Sequence, residues 1–354
     1  MAKKRVAAAL SGGVDSSTAA FLLQEAGYEV IGVAMRLWHE EETAPGDQHR
    51  SCYSTQSIHD AEQVCLSLGV PFHTIDLEDE FKQYVIDYFC QEYVQGRTPN
   101  PCIACNQHIK FGFLLEQALS LGTDYLATGH YVRIEYFNDA YHLLKGIDPN
   151  KDQSYMLYTL GQDKLNHLLF PLGNYLKSEV RELARQKGLP AADRPSSQDI
   201  CFTSTGCGAF LSQHSTATQG EIVNRRGEVL GKHKGTPFYT VGQRHGLGLA
   251  AAERLYVTNI EPDTNKITVG TGEELCSSSL TASRVNWVSG KHPSEPITVN
   301  AKIRYRSPEV AATLSPKPDS VDIEFHQPQR AVAPGQAVVF YQDSEVLGGG
   351  TIES

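Results

Sequence analysis

The stretch GRTPNPCIACNQHIKF, residues 96–111, sets Cys102 and Cys105 three apart behind a proline-rich turn. Such a pair serves as a metal clamp, as a dithiol redox couple or as a carrier of reactive sulfur, since in each case the thiolate is the working form. A third candidate is Cys201 in RPSSQDICFTSTGCG, with Cys207 close behind it. Structural zinc wants four nitrogen or sulfur ligands, so a zinc site would need Cys207 or His108 as its fourth. Cys52 and Cys276 have no motif around them, while Cys65 and Cys90 fall in helical patterns, where packing is the expected role.

The second string able to do chemistry is LSGGVDSSTAA, which begins at Leu10. No Gly-Lys-Ser/Thr follows its glycines, so it is not a Walker loop. It still makes an anion cradle. Gly12 and Gly13 let backbone N–H groups approach an oxyanion, Ser11, Ser16 and Ser17 add hydroxyl donors, and the following helix presents its positive end. Asp15 would repel a phosphate, and its expected job is to hold a Mg²⁺ ion that bridges to phosphate oxygens. The string resembles the PP-loop of the ATP pyrophosphatases, which cleave ATP between the α and β phosphates and adenylate a substrate oxygen. That resemblance implies an ATP site at Leu10, Ser11, Gly12, Gly13, Val14, Asp15, Ser16 and Ser17, with adenine held at Met35 and at Gly129 of ATGH.

These residues need a scaffold, and the first part of the chain alternates strand and helix. RVAAAL, YEVIGVAMRL, PFHTIDL and DYLATGH read as strands. SSTAAFLLQEAG, STQSIHDAEQVCLSLG, HIKFGFLLEQALSLG and KSEVRELARQKG read as helices, the first three closed by Gly27, Gly69 and Gly122. Strand–helix alternation implies a parallel sheet covered on both faces. Beyond about residue 205, glycine-rich turns in GEIVNRRGEVLGKHKGTPFYTVGQRHGLGL suggest a small, mainly β module. ITVNAKIRYR, SVDIEFH and QAVVFYQD then alternate with proline turns, as in a β-barrel. The expected domains are 1–205, an α/β ATP-binding unit; 206–279, a small central β unit; and 280–354, a C-terminal β-barrel. HEEETAPGDQHRS, from His39 onward, reads as an acidic loop.

The 354 residues carry a net charge of −10, which taken alone argues against nucleic acid. The charge is uneven, however, and residues 225–254 and 284–306 are locally basic. Attraction to phosphates acts within about 8–10 Å, so a basic face on an acidic protein is permitted. No apolar run is long enough to span a bilayer and the short N-terminal apolar run is no signal peptide, so a cytoplasmic location with no membrane partner is expected. Eight cysteines are too few for a secreted disulfide scaffold.

TPNPCIACNQHIKF, ATGHY, KDQSYMLYTL, PLGNYLKSEVRELA, SQDICF, YTVGQRHGLGL and KIRYRSP, in this order, resemble the bacterial tRNA 2-thiouridylases (the MnmA/TrmU family) from residue 5 to about residue 345. The resemblance implies a PP-loop (HUP-like) α/β domain and an enzyme that adenylates the C2 oxygen of the tRNA wobble uridine and replaces it with sulfur. The residue types suit that chemistry. A ring carbonyl oxygen cannot leave until it is esterified to AMP, and a cysteine persulfide brings a nucleophilic, transferable sulfur. By motif position Cys201 corresponds to the persulfide carrier and Cys105 to the partner nucleophile, with a transient Cys105–Cys201 disulfide. Asn100, Pro101 and Cys102 would line the target base. In many members Asp, a general acid/base, stands where this chain has Cys102, and a thiol near pKa ~8.5 suits a different pH range. Contacts to tRNA are implied at His130, Lys151, Asp152, Gln153, Arg304, Tyr305 and Gln336, with the Lys, Glu and Gln isoacceptors as substrates by analogy and a cysteine desulfurase or sulfur relay as donor.

Other readings remain open at this level. Three thiolates at Cys102, Cys105 and Cys201 could hold a 4Fe–4S cluster with one open iron. Another PP-loop activity, such as an amide-forming synthetase, would leave the cysteines idle, and a nucleotide-binding redox or metal sensor would not need the basic C-terminal strands. Arg304 and Arg306 are expected on one side of a strand with Tyr305 on the other, and Arg244 and His245 in a loop that touches RNA.

Overall fold

The computed structural model describes residues 3–37, 55–192, 200–203, 206–251 and 253–354. The acidic loop expected at 39–51, Cys52 and all of RPSSQD lie outside the described residues. In chain order the first strands are β1 (Arg5–Ala9), β2 (Glu29–Arg36), β3 (Phe72–Asp76) and β4 (Tyr125–Ala127). A hairpin of β5 (Val132–Phe137) and β6 (Ala140–Lys145) follows, then β7 (Leu168–Leu169). The sheet runs β3-β2-β1-β4-β7 and is parallel throughout. Val6, Ala7, Ile31 and Val33 are fully buried because helices cover both faces. The strand order reverses between β1 and β4, and ligands of such sheets bind at the carboxyl ends of strands at that point.

The central unit holds β8 (Gly220–Asn224), β9 (Val229–His233), β10 (Tyr256–Glu261) and β11 (Lys266–Gly270), in the order β10-β11-β8-β9. The last unit holds β12 (Cys276–Trp287), β13 (Ile297–Lys302), β14 (Val310–Pro316), β15 (Ser320–Arg330), β16 (Ala337–Gln342) and β17 (Glu345–Ile352). Pairing of β12 with both β15 and β17 closes these six strands into a barrel, which removes its free edges. The α/β unit, the small β unit and the barrel are those expected.

The units are not independent. The β5–β6 hairpin belongs to the α/β part of the chain, yet it extends the barrel sheet through Leu144 opposite Glu345. One hydrophobic cluster runs from Ile31 and Val33 of the parallel sheet through Phe89, Ile109 and Phe111 to Val339 and Tyr341 of the barrel. Each such side chain contributes about 1.5–3 kcal/mol by burial, so the barrel is docked on the α/β unit by a shared core.

Two local features depart from expectation. The helix read as starting near His108 starts at Pro101 and runs through residues 101–120, so both cysteines of the pair are helical. Its middle, Cys105–Phe113, is π-helical, a wider winding that is frequent at functional sites. Arg304, Tyr305 and Arg306 are not on a strand. β13 stops at Lys302, and these residues form a turn closed by Ser307 N–H to the Arg304 carbonyl at 3.1 Å. The Ser307 hydroxyl also accepts from the Arg304 N–H at 3.2 Å, a side-chain bond that competes with the ladder.

Candidate active site

The loop after β1 is built as an anion cradle. Gly12 takes φ +68, in the left-handed region that glycine enters without strain. Gly13 caps the helix Val14–Glu25, and the Ser17 hydroxyl donates to its carbonyl at 2.8 Å. The Ser16 hydroxyl accepts the Ser11 N–H at 3.2 Å. Gly129, just after β4, backs directly against this loop, and a Cβ there would lie 2.8 Å from the Ser16 nitrogen. Its smallness therefore lets β4 close on the loop. Leu10 and Met35 are buried.

Two partners of Asp15 were not legible in the string that contains it. The Tyr131 hydroxyl donates to Oδ1 at 2.7 Å and the Lys177 ammonium reaches the same oxygen at 2.5 Å. Burial pushes Lys177 below the ordinary lysine value, against the pull of the Asp15 carboxylate. Burial and Asp15 push the Tyr131 phenol upward, so it stays a donor. Asp15 is thus a carboxylate already neutralised by a lysine. Among the described residues no group of three His, Cys, Asp or Glu is placed to hold a metal ion. Cys102, Cys105 and Cys201 do not form such a group.

The cysteine helix is positioned from its N-terminus. The Asn100 carboxamide oxygen accepts the N–H groups of Cys102 at 3.1 Å and Ile103 at 3.3 Å, satisfying donors the helix leaves open. Proline at the first helical position lacks the donor that would go unused there. Cys102 is exposed, whereas Cys105 is 8% exposed and packs in the shared core. Cys201 is half-buried against the same cluster. The opposite face of the helix borders a cavity of about 420 Å³, between Tyr84, His108, Arg284 and Asn286.

Segments distant in sequence converge on this helix start. Gln336 of the barrel donates to the Thr98 carbonyl at 2.8 Å, and Thr98 N–H donates to the Pro334 carbonyl at 2.7 Å. The Tyr305 hydroxyl donates to the Asp152 carbonyl at 3.1 Å, and Cys102 lies close enough to help burial raise the Tyr305 phenol. The Gln153 side chain accepts from Tyr131 N–H at 3.0 Å, so one residue, Tyr131, joins the anion loop to the 151–153 turn. That turn is also tied to Lys177: buried Asp148 accepts the Lys177 N–H at 2.9 Å, and its carbonyl accepts the Asp152 N–H at 2.8 Å.

Several residues read as RNA contacts thus spend their side chains on protein. Asp152 accepts from Gly146, Ser154 N–H and the Ser154 hydroxyl. His130 is buried, shares a 2.7 Å hydrogen bond with Thr128 and sits between Phe111 and Phe170. Burial, with Lys110 nearby, holds its imidazole well below the ordinary histidine value. Arg304 and Arg306 are exposed, and Arg304 donates to the Arg330 carbonyl at 3.0 Å. A latch that the sequence did not signal is Arg97, which bridges Glu92 at 2.7 Å and Glu353 at 2.5 Å and so ties the end of the chain to the segment before Asn100.

The fold and the loop define a class: a HUP-type α/β domain joined to a PRC-barrel and a second β-barrel. The family model described as tRNA methyl transferase HUP domain matches residues 4–205, its PRC-barrel counterpart residues 208–271, and the aminomethyltransferase beta-barrel model residues 277–352. The chain is 48% identical over 99% of its length to the tRNA-specific 2-thiouridylase MnmA of Carboxydothermus hydrogenoformans, of which 98% is covered. It is 49% identical to MnmA 1 of Caldanaerobacter subterraneus subsp. tengcongensis, over 99% of this chain and 98% of that protein. A solved 4-thiouridine synthetase–RNA complex aligns weakly, at 16% identity, TM-score 0.36, over 56% of this chain and 45% of that one. This chain belongs to the tRNA-specific 2-thiouridylase family. Among the described residues no helix is long and apolar enough to cross a membrane.

Proposed function

We propose that this protein is an ATP-dependent tRNA-uridine 2-sulfurtransferase. The observation that carries the reading is kinship along the whole chain, through all three units, with curated 2-thiouridylases. In this reading the loop Leu10–Ser17, with Lys177 beside Asp15, takes the ATP phosphates, and Met35 and Gly129 flank the adenine. Asn100, Pro101 and Cys102 receive the flipped uridine, whose extraction from the stack costs a few kcal/mol. The Lys151–Gln153 turn, the Arg304–Tyr305 turn with its exposed Arg304, and Gln336 flank the same helix start and orient the anticodon loop.

The chemistry then runs in balanced steps. The uridine O2 attacks the α-phosphorus of ATP and pyrophosphate leaves. The outer sulfur of a Cys201 persulfide attacks C2, and AMP leaves with the former carbonyl oxygen. The Cys105 thiolate attacks Cys201 Sγ and breaks its bond to the transferred sulfur, leaving a C2 thiocarbonyl and a Cys105–Cys201 disulfide. The persulfide is supplied by a donor such as a cysteine desulfurase or a relay protein. Pyrophosphate release should depend on added unmodified tRNA, and mass spectrometry of the digested tRNA should find 2-thiouridine at the wobble position. Pyrophosphate formed equally well with an amino acid and no RNA would sink the proposal. Cys105→Ser and Cys201→Ser should each abolish sulfur transfer while tRNA-dependent adenylation persists.

A further inference from the structure

The Cys105–Cys201 disulfide left by each turnover must be reduced before the next, and its burial poses a problem. Cys105 is 8% exposed and packed in the shared core, and Cys201 is half-buried, so a protein-sized reductant has poor access to either sulfur. Cys102 stands one turn ahead of Cys105 on the same helix and is exposed. Residues three apart on a helix bring their Cβ atoms within about 5–6 Å, and a disulfide needs them at about 3.5–4.5 Å, so a local shift of about 1–2 Å joins them. The first turn of a capped helix, at its positive end, stabilises an anionic sulfur. Exposed attacking thiol and buried partner are therefore arranged in the order a dithiol exchange needs.

We infer that Cys102 is the resolving thiol of this enzyme, a conclusion that rests on the roles proposed above for Cys105 and Cys201. The Cys102 thiolate attacks Cys105 Sγ; the Cys105–Cys201 bond breaks, and Cys201 departs as a thiolate ready to be charged again. The oxidation is thereby moved to a Cys102–Cys105 disulfide whose outer sulfur faces solvent. An external dithiol of the thioredoxin class then reduces it by two electrons, its own thiols becoming a disulfide.

The experiment charges the full-length protein with a small-molecule persulfide, adds ATP and unmodified tRNA without reductant, traps thiols by alkylation, and maps disulfides by non-reducing proteolysis and mass spectrometry. Wild type should carry Cys102–Cys105 after one turnover, and Cys102→Ser should carry Cys105–Cys201 instead. Reduction of spent Cys102→Ser by a protein dithiol should slow by about tenfold or more relative to spent wild type, with a much smaller change for a small dithiol that enters the core. A purely structural role for Cys102 would not separate the two reductants. Wild type that stops at Cys105–Cys201, or equal protein-dithiol rates for both proteins, would overturn the inference. If 2-thiouridine forms with no disulfide of Cys105 in either protein, the underlying assignment of Cys105 and Cys201 has failed instead.

Discussion

Replacing Arg97 by Met tests whether the end of the chain holds the cysteine helix in place. The guanidinium is 16% exposed and donates to Glu92, 10% exposed, and to Glu353, 35% exposed. The Ser283 hydroxyl holds the same Glu353 carboxylate. Methionine keeps most of the stem but removes the charge. Glu92 is then a nearly buried carboxylate whose remaining cation, Arg284, lies 3.9 Å away. Removing one partner of a buried ion pair costs about 3–5 kcal/mol, and Arg284 brings this to the lower end. Glu353 rehydrates and adds under about 1 kcal/mol. The expected loss is therefore about 3 kcal/mol, a fall of up to about 1 M in the urea midpoint, since the slope m rises with chain length. Glu353→Gln should cost about 1 kcal/mol, because it leaves the Arg97–Glu92 pair intact. Since Arg97 precedes the Thr98–Asn100 segment that Gln336 and the cap hold, thiolation should slow more than bulk unfolding at assay temperature explains. Circular dichroism in urea and single-turnover thiolation at matched folded fractions read the two effects. An Arg97→Met protein within about 0.5 kcal/mol of wild type would refute the reasoning, because no nearly buried carboxylate would then depend on this guanidinium.

Two further outcomes follow from groups in or beside the anion loop. Lys177→Met should weaken ATP binding by about tenfold or more, through loss of a buried cation at the loop mouth. Asp15→Asn combined with it should recover part of the lost stability by removing the stranded carboxylate, and equilibrium dialysis with urea titration checks both. His130 is buried and neutral, so its folded-state pKa lies below the unfolded value near 6.5. Its contribution to stability is present above pH 6.5 and is lost as pH falls from there toward the folded pKa, at up to about 1.4 kcal/mol per pH unit. His130→Gln should flatten the stability difference between pH 7.5 and pH 5.5 relative to wild type, and identical pH slopes would contradict that account.

Much of the scaffold was legible because it follows from local patterns. Buried runs such as RVAAA and the stops at Gly27, Gly69 and Gly122, which take positive φ, mark strands and helix ends through nearest-neighbour physics. The start of the cysteine helix was misplaced because the proline-rich turn hides its cap. Asn100 and Pro101 read as turn formers but work as N-cap and first helical residue. The run KIRYR was read as continuous strand because alternation is local, and it is overruled by Ser307, whose hydroxyl bonds back to Arg304. His130 resembled an RNA contact by motif, but its side chain faces Phe111 and Phe170.

From the chain alone came the chemical inventory: a glycine-rich anion loop on the first strand, three cysteines in two motifs, an α/β half followed by β modules, and a resemblance to a family with a known reaction. Only the tertiary structure decided which groups act on which. It paired Asp15 with Lys177 and Tyr131, gathered residues 97–102, 151–153, 305, 336 and 353 around one helix start, and separated an exposed Cys102 from a buried Cys105. The physical reason is that type and spacing along a chain encode backbone geometry within a few residues. Charge neutralisation, burial and reach depend instead on partners brought together by a shared core from more than a hundred residues away.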